Sequence, residues 1–157
     1  MFARAVFAFI ALPGLVAFLI PAAWLGLSSR GALAAPVLLA LPALGTAALL
    51  VCAWDFLRVG KGTLAPWTPP IHLVRVGLYR YSRNPMYLAV ILILLGWSAC
   101  FASWELLAYA CVVAVAFHLR VARGEEPWLA RRYGAEWEDY ARQVPRWFLP
   151  SAPTRRT

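Results

Sequence analysis

Charged residues are scarce in this sequence. Only 14% of its 157 residues are charged, whereas 62% are hydrophobic and 14% are aromatic. A soluble domain has about 25% charged residues, so the composition excludes an ordinary soluble globule, a disordered tail and a nucleic-acid-binding domain. Acidic residues are the scarcest, since seven Asp and Glu stand against fifteen Lys and Arg and leave a net charge of +8. Such an apolar, aromatic and basic composition is typical of a membrane protein.

Cysteine is also rare. The three cysteines are odd in number, lack the spacing of a zinc site and lie within apolar runs, at Cys52, Cys100 and Cys111. The sequence therefore predicts neither a disulfide framework nor a metal site, and we expect these thiols to serve packing.

Four stretches without charge predict four membrane-spanning helices, because a spanning helix needs about 20 apolar residues. They cover residues 5–27, 31–54, 86–104 and 106–119. The last extends to residue 122 if Arg120 snorkels to the interface or faces the bundle, and a tight turn near Ser103 and Glu105 joins the last two. The first run is longer than the apolar core of a signal peptide, so we expect it to be retained. The predicted fold class is all-α, an integral-membrane four-helix bundle.

The basic residues predict the orientation of these spans. With four spans, fourteen of the fifteen Lys and Arg fall on the side of both termini, and only Arg30 falls on the other. Positive residues are retained in the cytoplasm. We therefore expect a multi-pass protein of the inner or plasma membrane with both termini cytoplasmic.

The loop after the second span is rich in glycine and proline. Gly60-Lys61-Gly62-Thr63 predicts a short, flexible, positively charged turn, and Pro66, Pro69 and Pro70 then exclude a regular helix. We expect this segment to be extended or loop-like.

The start of the third span carries groups that suit an anion. Asn84 is a favourable N-cap and Pro85 suits the first helical position. A helix N-terminus attracts anions, and Arg80 and Arg83 lie beside this one. Two aromatic residues able to cover a ring or a cation are also here, Tyr81 and Tyr87. The alternative is an interfacial belt of Arg and Tyr at the membrane surface.

Two adjacent carboxylates, Glu125 and Glu126, follow the fourth span and oppose its basic surroundings. On a helix Glu125 shares a stripe with His118, whereas Glu126 lies about 100° away, so we expect the two acids to have different roles. The alternative is pairing with surface arginines: Arg120, Arg123 or Arg131.

The C-terminal segment has a helical stripe of apolar and aromatic residues. It consists of Leu129, Tyr133, Trp137, Tyr140 and Val144. Gly134 is expected to break the segment into two short helices. Such an amphipathic element lies on the membrane surface or caps a site below it.

One ligand that suits these groups is S-adenosylmethionine. Its carboxylate pairs with Arg or a helix N-terminus, its ammonium pairs with Glu, and its sulfonium and adenosine accept aromatic faces. Other zwitterionic cofactors and lipid headgroups fit the same set.

A series of motifs resembles the isoprenylcysteine carboxyl methyltransferase family, which is related to the phospholipid N-methyltransferases. The resemblance covers roughly residues 58–148. Its elements are Gly60-Lys61-Gly62-Thr63, Gly77-x-Tyr79-Arg80-x-x-Arg83-Asn84-Pro85-Met86-Tyr87, Glu125-Glu126-Pro127, Tyr133-Gly134, Tyr140 and Val144-Pro145-Arg146.

This resemblance implies an integral-membrane, S-adenosylmethionine-dependent methyltransferase without a metal. The cofactor would lie in a cytoplasm-facing pocket under the C-terminal helices, and a lipophilic acceptor would enter from the bilayer. The single domain, 1–157, would then comprise two scaffold spans (1–57), a cytoplasmic loop (58–85), a helical hairpin (86–122) and a cofactor-covering segment (123–150).

The resemblance and the local chemistry together give a set of candidate site residues. Those expected to bind the cofactor are Gly60, Gly62, Tyr81, Arg83, Asn84, Pro85, Tyr87, Glu125 and Glu126. Arg83 and Glu126 are also the expected catalytic residues. One departure is Asn84, which stands where the isoprenylcysteine enzymes typically have His and which cannot titrate near neutral pH.

The expected transfer is an in-line displacement in which the enzyme supplies alignment and excludes water. A carboxylate acceptor needs no base. An amine or thiol acceptor must lose a proton, for which Glu126, Glu125 and His118 are candidates.

Several other functions are open at this point. A phospholipid or small-lipid N-methyltransferase is the nearest alternative. A membrane reductase that uses NADPH and resembles the sterol reductases has a comparable C-terminal layout. A non-enzymatic membrane protein whose basic face binds anionic lipid headgroups is the third.

Overall fold

The structure is a computed structural model that describes residues 10–28, 33–60 and 72–148. Over these residues the chain is helical and contains no strand, which confirms the predicted all-α class. Several predictions lie outside the described residues: those for Arg4, Arg30, Gly62, the prolines of the loop and the C-terminal tail.

The described part of the chain contains six α-helices. They are α1 (Ile20–Leu27), α2 (Ala40–Gly60), α3 (Pro85–Cys100), α4 (Trp104–Arg120), α5 (Glu126–Tyr133) and α6 (Ala135–Gln143). Stretches of π-helix precede α1 over Ile10–Leu19 and join α4 to α5 over Val121–Glu125. Stretches of 3-10 helix precede α2 over Pro36–Leu39 and lie before α3 over Gly77–Arg80.

Two described helical stretches are long and apolar enough to cross a membrane, namely Pro36–Gly60 and Trp104–Tyr133. Two further apolar stretches, Pro13–Leu27 and Pro85–Cys100, are shorter. At 1.5 Å per residue α3 reaches about 24 Å, which is less than the bilayer core of about 30 Å. The four-span bundle therefore stays a prediction.

The third helix is shorter than the predicted third span because the chain turns at residues 101–103. Ala102 has a φ of 46°, a left-handed conformation that ends the helix. Ser103 then caps α4, since its hydroxyl oxygen accepts a hydrogen bond from the Leu106 backbone N at 3.3 Å. The tight turn predicted near Ser103 is confirmed.

Helices α2 and α3 pack closely because glycines face the neighbouring helix. A Cβ atom on Gly96 would lie 2.4 Å from Cδ of Pro42, and one on Gly45 would lie 2.9 Å from the backbone oxygen of Ala89. Small residues allow this close approach of helices in membranes.

The first helical stretch is tied to the hairpin of α3 and α4. Pro21 has no N–H, so the Ala17 carbonyl group one turn earlier lacks the donor that an α-helix would supply. Trp97 Nε1 donates to the Ala17 carbonyl oxygen at 3.1 Å, and the Tyr109 hydroxyl donates to the Val16 carbonyl oxygen at 3.3 Å. The neighbouring helix α3 thus satisfies the carbonyl group that the proline leaves free, and the Tyr109 contact adds a second tie from α4.

The C-terminal helices fold back over the start of α3. Gly134, with a φ of 53°, separates α5 from α6, so the predicted break is confirmed. The backbone N of Arg83 donates to the Pro145 carbonyl oxygen at 2.9 Å. The start of α3, the end of α4 and the segment after α6 therefore meet at one end of the molecule.

Candidate functional site

A cavity of about 360 Å³ lies at this end of the molecule. Its inner wall is apolar and includes Val16, Leu49, Val90 and Phe117. Its polar wall comprises Arg83, Asn84, Tyr87, Arg120 and Glu125. A cavity with an apolar interior and a few convergent charged groups is typical of a small-molecule site.

Arg83 is the buried cation of the polar wall. Only 10% of its side chain is exposed, and its guanidinium lies over the Trp137 ring, 5.5 Å from the ring centroid. Burial lowers the pKa of Arg83, and the Glu126 carboxylate opposes that shift. Its Nε is buried and has no hydrogen-bond partner among the described residues. Because the Arg83 side chain lines the cavity, its positive charge is suited to an anionic ligand.

Glu126 is held by two arginines behind that wall. Arg146 binds it through two hydrogen bonds, Nε to Oε1 at 2.9 Å and Nη2 to Oε2 at 2.6 Å. Arg83 Nη1 lies 3.0 Å from the same Oε1. The hydrogen bonds to Glu126 raise the pKa of Arg146. Glu126 is not among the residues that line the cavity.

Glu125 has a different environment, in line with the different roles expected for the two acids. It lines the cavity, and its Oε1 accepts hydrogen bonds from Arg120 Nε at 2.7 Å and from the Tyr87 hydroxyl. These contacts leave Oε2 without a partner among the described residues. The pairing of Glu125 with Arg120 is the surface alternative considered from sequence, but here the pair forms part of a cavity wall.

Aromatic side chains of α5 and α6 cover the cavity. Trp128, Trp137 and Tyr140 are among its lining residues, and the Tyr140 hydroxyl donates to the Tyr79 carbonyl oxygen at 2.7 Å. Burial is the main cause that raises the pKa of both Tyr79 and Tyr140. Both phenols therefore stay protonated at neutral pH, and the Tyr140 hydroxyl keeps its proton to donate.

Asn84 is the N-cap residue of α3, but its side chain makes no capping hydrogen bond. Its Nδ2 instead donates to the Arg146 carbonyl oxygen at 3.1 Å. The Ser82 hydroxyl oxygen takes part in ordering this turn by accepting a hydrogen bond from the Asn84 backbone N at 3.1 Å. Pro85 follows at the first helical position and lines the cavity, as does Asn84.

Other candidate residues lie apart from the cavity. Gly60 is buried at the end of α2, and Tyr81 is 69% exposed; neither lines the cavity. His118 accepts a hydrogen bond at Nδ1 from Trp147 Nε1 at 3.3 Å, and it does not line the cavity either. Of the nine candidate cofactor residues, the structure brings five together around the cavity.

Sequence reasoning did not assign site roles to Arg120, Trp128 and Trp137. Trp137 belongs to the predicted apolar stripe, and that stripe already indicated a helix face that caps a site. Arg120 carried a signal of another kind, since it is a cation at the end of an apolar run and such residues face a bundle or an interface. Trp128 had no signal in the sequence.

Comparison with known proteins gives one match. Residues 63–136 match the family model described as phospholipid methyltransferase. The comparisons with curated proteins and with solved structures found no match. The matched segment contains all five residues of the polar cavity wall, namely Arg83, Asn84, Tyr87, Arg120 and Glu125, and also Glu126 behind it. The match does not single out the isoprenylcysteine branch of the predicted resemblance.

Proposed function

We propose that this protein is a membrane methyltransferase that uses S-adenosylmethionine to methylate a lipophilic acceptor. The family match supports a membrane methyltransferase that acts on lipid-type substrates. The observation that carries the proposal is the cavity, in which the buried Arg83 and the carboxylate of Glu125 face an apolar interior.

The charged groups of the cavity fit the amino-acid part of S-adenosylmethionine. Arg83 lines the cavity and offers a positive charge to the carboxylate, and a charged hydrogen bond between such groups is stronger than a neutral one. Glu125 has an oxygen that makes none of the described contacts and suits the ammonium. Tyr87, Trp128 and Trp137 offer aromatic faces to the sulfonium and the adenine.

When bound, this cofactor supplies an electrophilic methyl group. The apolar inner wall accepts a lipophilic acceptor and excludes water from the reacting atoms. The helical frame and the charged wall fix the two reactants relative to each other, which is how such an enzyme lowers the entropic part of the barrier.

The candidate bases differ in their access to this cavity. Both oxygens of Glu126 are engaged by arginine, and His118 lies apart from the cavity. Glu125 is the only carboxylate among the described lining residues. Because the open oxygen of Glu125 is assigned to the ammonium of the cofactor, an acceptor that needs no base suits this cavity best, and Glu126 acts by holding Arg83.

Two acceptor classes follow from this proposal. The resemblance to the isoprenylcysteine enzymes makes a carboxylate, which reaches the site already ionised, the first candidate. The matched family description names phospholipids, which makes a lipid amine the second candidate. We infer from the distribution of Lys and Arg that the site faces the cytoplasm, as both termini do.

Ligand binding to the purified full-length protein tests the proposal. We expect saturable binding of S-adenosylhomocysteine, measured by titration calorimetry in detergent. NADPH is titrated in parallel as the alternative ligand, because a sterol-reductase-like enzyme would bind NADPH instead. Tight NADPH binding without S-adenosylhomocysteine binding would overturn the proposal, and so would binding of anionic lipid alone.

A further inference from the structure

The segment after α6, residues 144–148, lies across the turn that leads into α3. Three hydrogen bonds connect the two. Arg83 N donates to the Pro145 carbonyl oxygen at 2.9 Å, while the Arg146 carbonyl oxygen accepts from Ser82 Oγ at 3.2 Å and Asn84 Nδ2 at 3.1 Å. These backbone contacts fix the position of Arg146 relative to the cavity wall.

The side chain of Arg146 occupies both oxygens of Glu126. Its two hydrogen bonds have the fork geometry that arginine forms with a carboxylate. Arg83 reaches Glu126 through Nη1, which lies 3.0 Å from Oε1. The Nε of Arg83 stays free of protein partners among the described residues.

The charge of this cluster has a consequence for ligand binding. One carboxylate and two guanidinium groups leave one net positive charge, and only Arg83 of the three lines the cavity. Without Arg146, Glu126 would be free to bind Arg83 through two hydrogen bonds and to neutralise it. The cavity would then lose the net positive charge.

We propose that Arg146 is a positioning residue, which holds Glu126 so that the charge of Arg83 stays available to the carboxylate of the bound ligand. This inference rests on the proposed function, because it takes S-adenosylmethionine as that ligand. Arg146 itself does not line the cavity, so its effect passes through Glu126 and Arg83.

Two ligands that differ in a single group separate this role from a structural one. S-adenosylmethionine carries the carboxylate, and decarboxylated S-adenosylmethionine lacks it but retains the ammonium. For Arg146→Met we expect S-adenosylmethionine to bind about 10-fold more weakly or worse. Binding of the decarboxylated ligand should not change, because it does not use Arg83.

Further variants of the full-length protein sharpen the test. Arg142→Met is the matched control, since Arg142 is exposed and pairs with Asp139 one helical turn away. Arg146→Lys keeps the charge without the fork, and we expect an intermediate affinity from it, which keeps the test decisive if Arg146→Met does not fold. In a protein that carries Glu126→Gln, Arg146→Met should add little further loss.

The outcomes distinguish the two levels of the proposal. If the wild-type protein binds neither ligand, the proposed function fails. If it binds S-adenosylmethionine but Arg146→Met and Arg146→Lys leave that affinity unchanged, the positioning role alone fails. Equal weakening of both ligands would likewise contradict that role, because it would indicate general damage to the fold.

Discussion

Replacement of Arg83 by methionine is expected to weaken S-adenosylhomocysteine binding by about 30-fold or more. Removal of one partner of a buried charged hydrogen bond costs about 2–5 kcal/mol, and about 1.4 kcal/mol corresponds to a factor of ten. Arg83 is the buried cation of the cavity wall, and its Nε has no described protein partner. Titration calorimetry of the purified variant measures the loss.

The fold should tolerate this change. Glu126 keeps its two hydrogen bonds to Arg146 when Arg83 is replaced, so no buried carboxylate is left unpaired. Arg80→Met is the matched control, because Arg80 is exposed in the same turn and does not line the cavity. Equal affinities of the two variants, at similar thermal unfolding temperatures, would show that Arg83 has been given the wrong role.

Replacement of Glu125 by glutamine should give the second largest effect. Glutamine keeps the size of the side chain and can still accept from Arg120 and Tyr87, so the substitution mainly removes the negative charge. A hydrogen bond to a charged group contributes about 1.5–3 kcal/mol. We therefore expect S-adenosylhomocysteine, which carries the same ammonium, to bind about 10-fold to 100-fold more weakly in calorimetric titrations.

Glu138→Gln is the control for Glu125, because it makes the same change at an exposed position of α6. The affinity of this control should match that of the wild-type protein. If Glu125→Gln binds S-adenosylhomocysteine as tightly as the control does, the ammonium is not held by Glu125. A second pairing for the ammonium would then have to be sought elsewhere on the cavity wall.

Much of the helical layout could be predicted from sequence because charge-free runs and apolar stripes are local signals. The stripe of Trp137, Tyr140 and Val144 is indeed buried, together with Leu129 and Tyr133 packed beside it. The length of α3 could not be predicted in the same way. It depends on the left-handed conformation of Ala102, and alanine, unlike glycine or asparagine, does not favour that conformation.

The separation of Glu125 from Glu126 shows the limit of a helical projection. A step of about 100° per residue predicts that the two side chains face different directions. The helix is π-helical over Val121–Glu125, and a π-helical turn has i→i+5 hydrogen bonds and a different rotation per residue. Which acid faces the cavity is therefore set by that local geometry and by the arginines that surround each one.

The partners of Glu126 were also beyond sequence reasoning. Arg146 lies 20 residues further along the chain, in a segment without helical periodicity, so its contact with Glu126 depends on how the C-terminal segment folds back. For Tyr81, closeness in sequence to a site residue gave a wrong expectation of where its side chain lies. It lies two residues from Arg83, yet the 3-10 turn directs its side chain to the surface, where 69% of the residue is exposed.

Transfer of a labelled methyl group tests the central claim most directly. Native membranes that contain the wild-type protein, or Arg83→Met in its place, are incubated with S-adenosylmethionine that carries a deuterated methyl group, and the extracted lipids are analysed by mass spectrometry. We predict at least one lipophilic species that gains the labelled methyl group only with the wild-type protein. Labelling that is absent with the wild-type protein, or equal with the variant, would contradict a methyltransferase centred on this cavity.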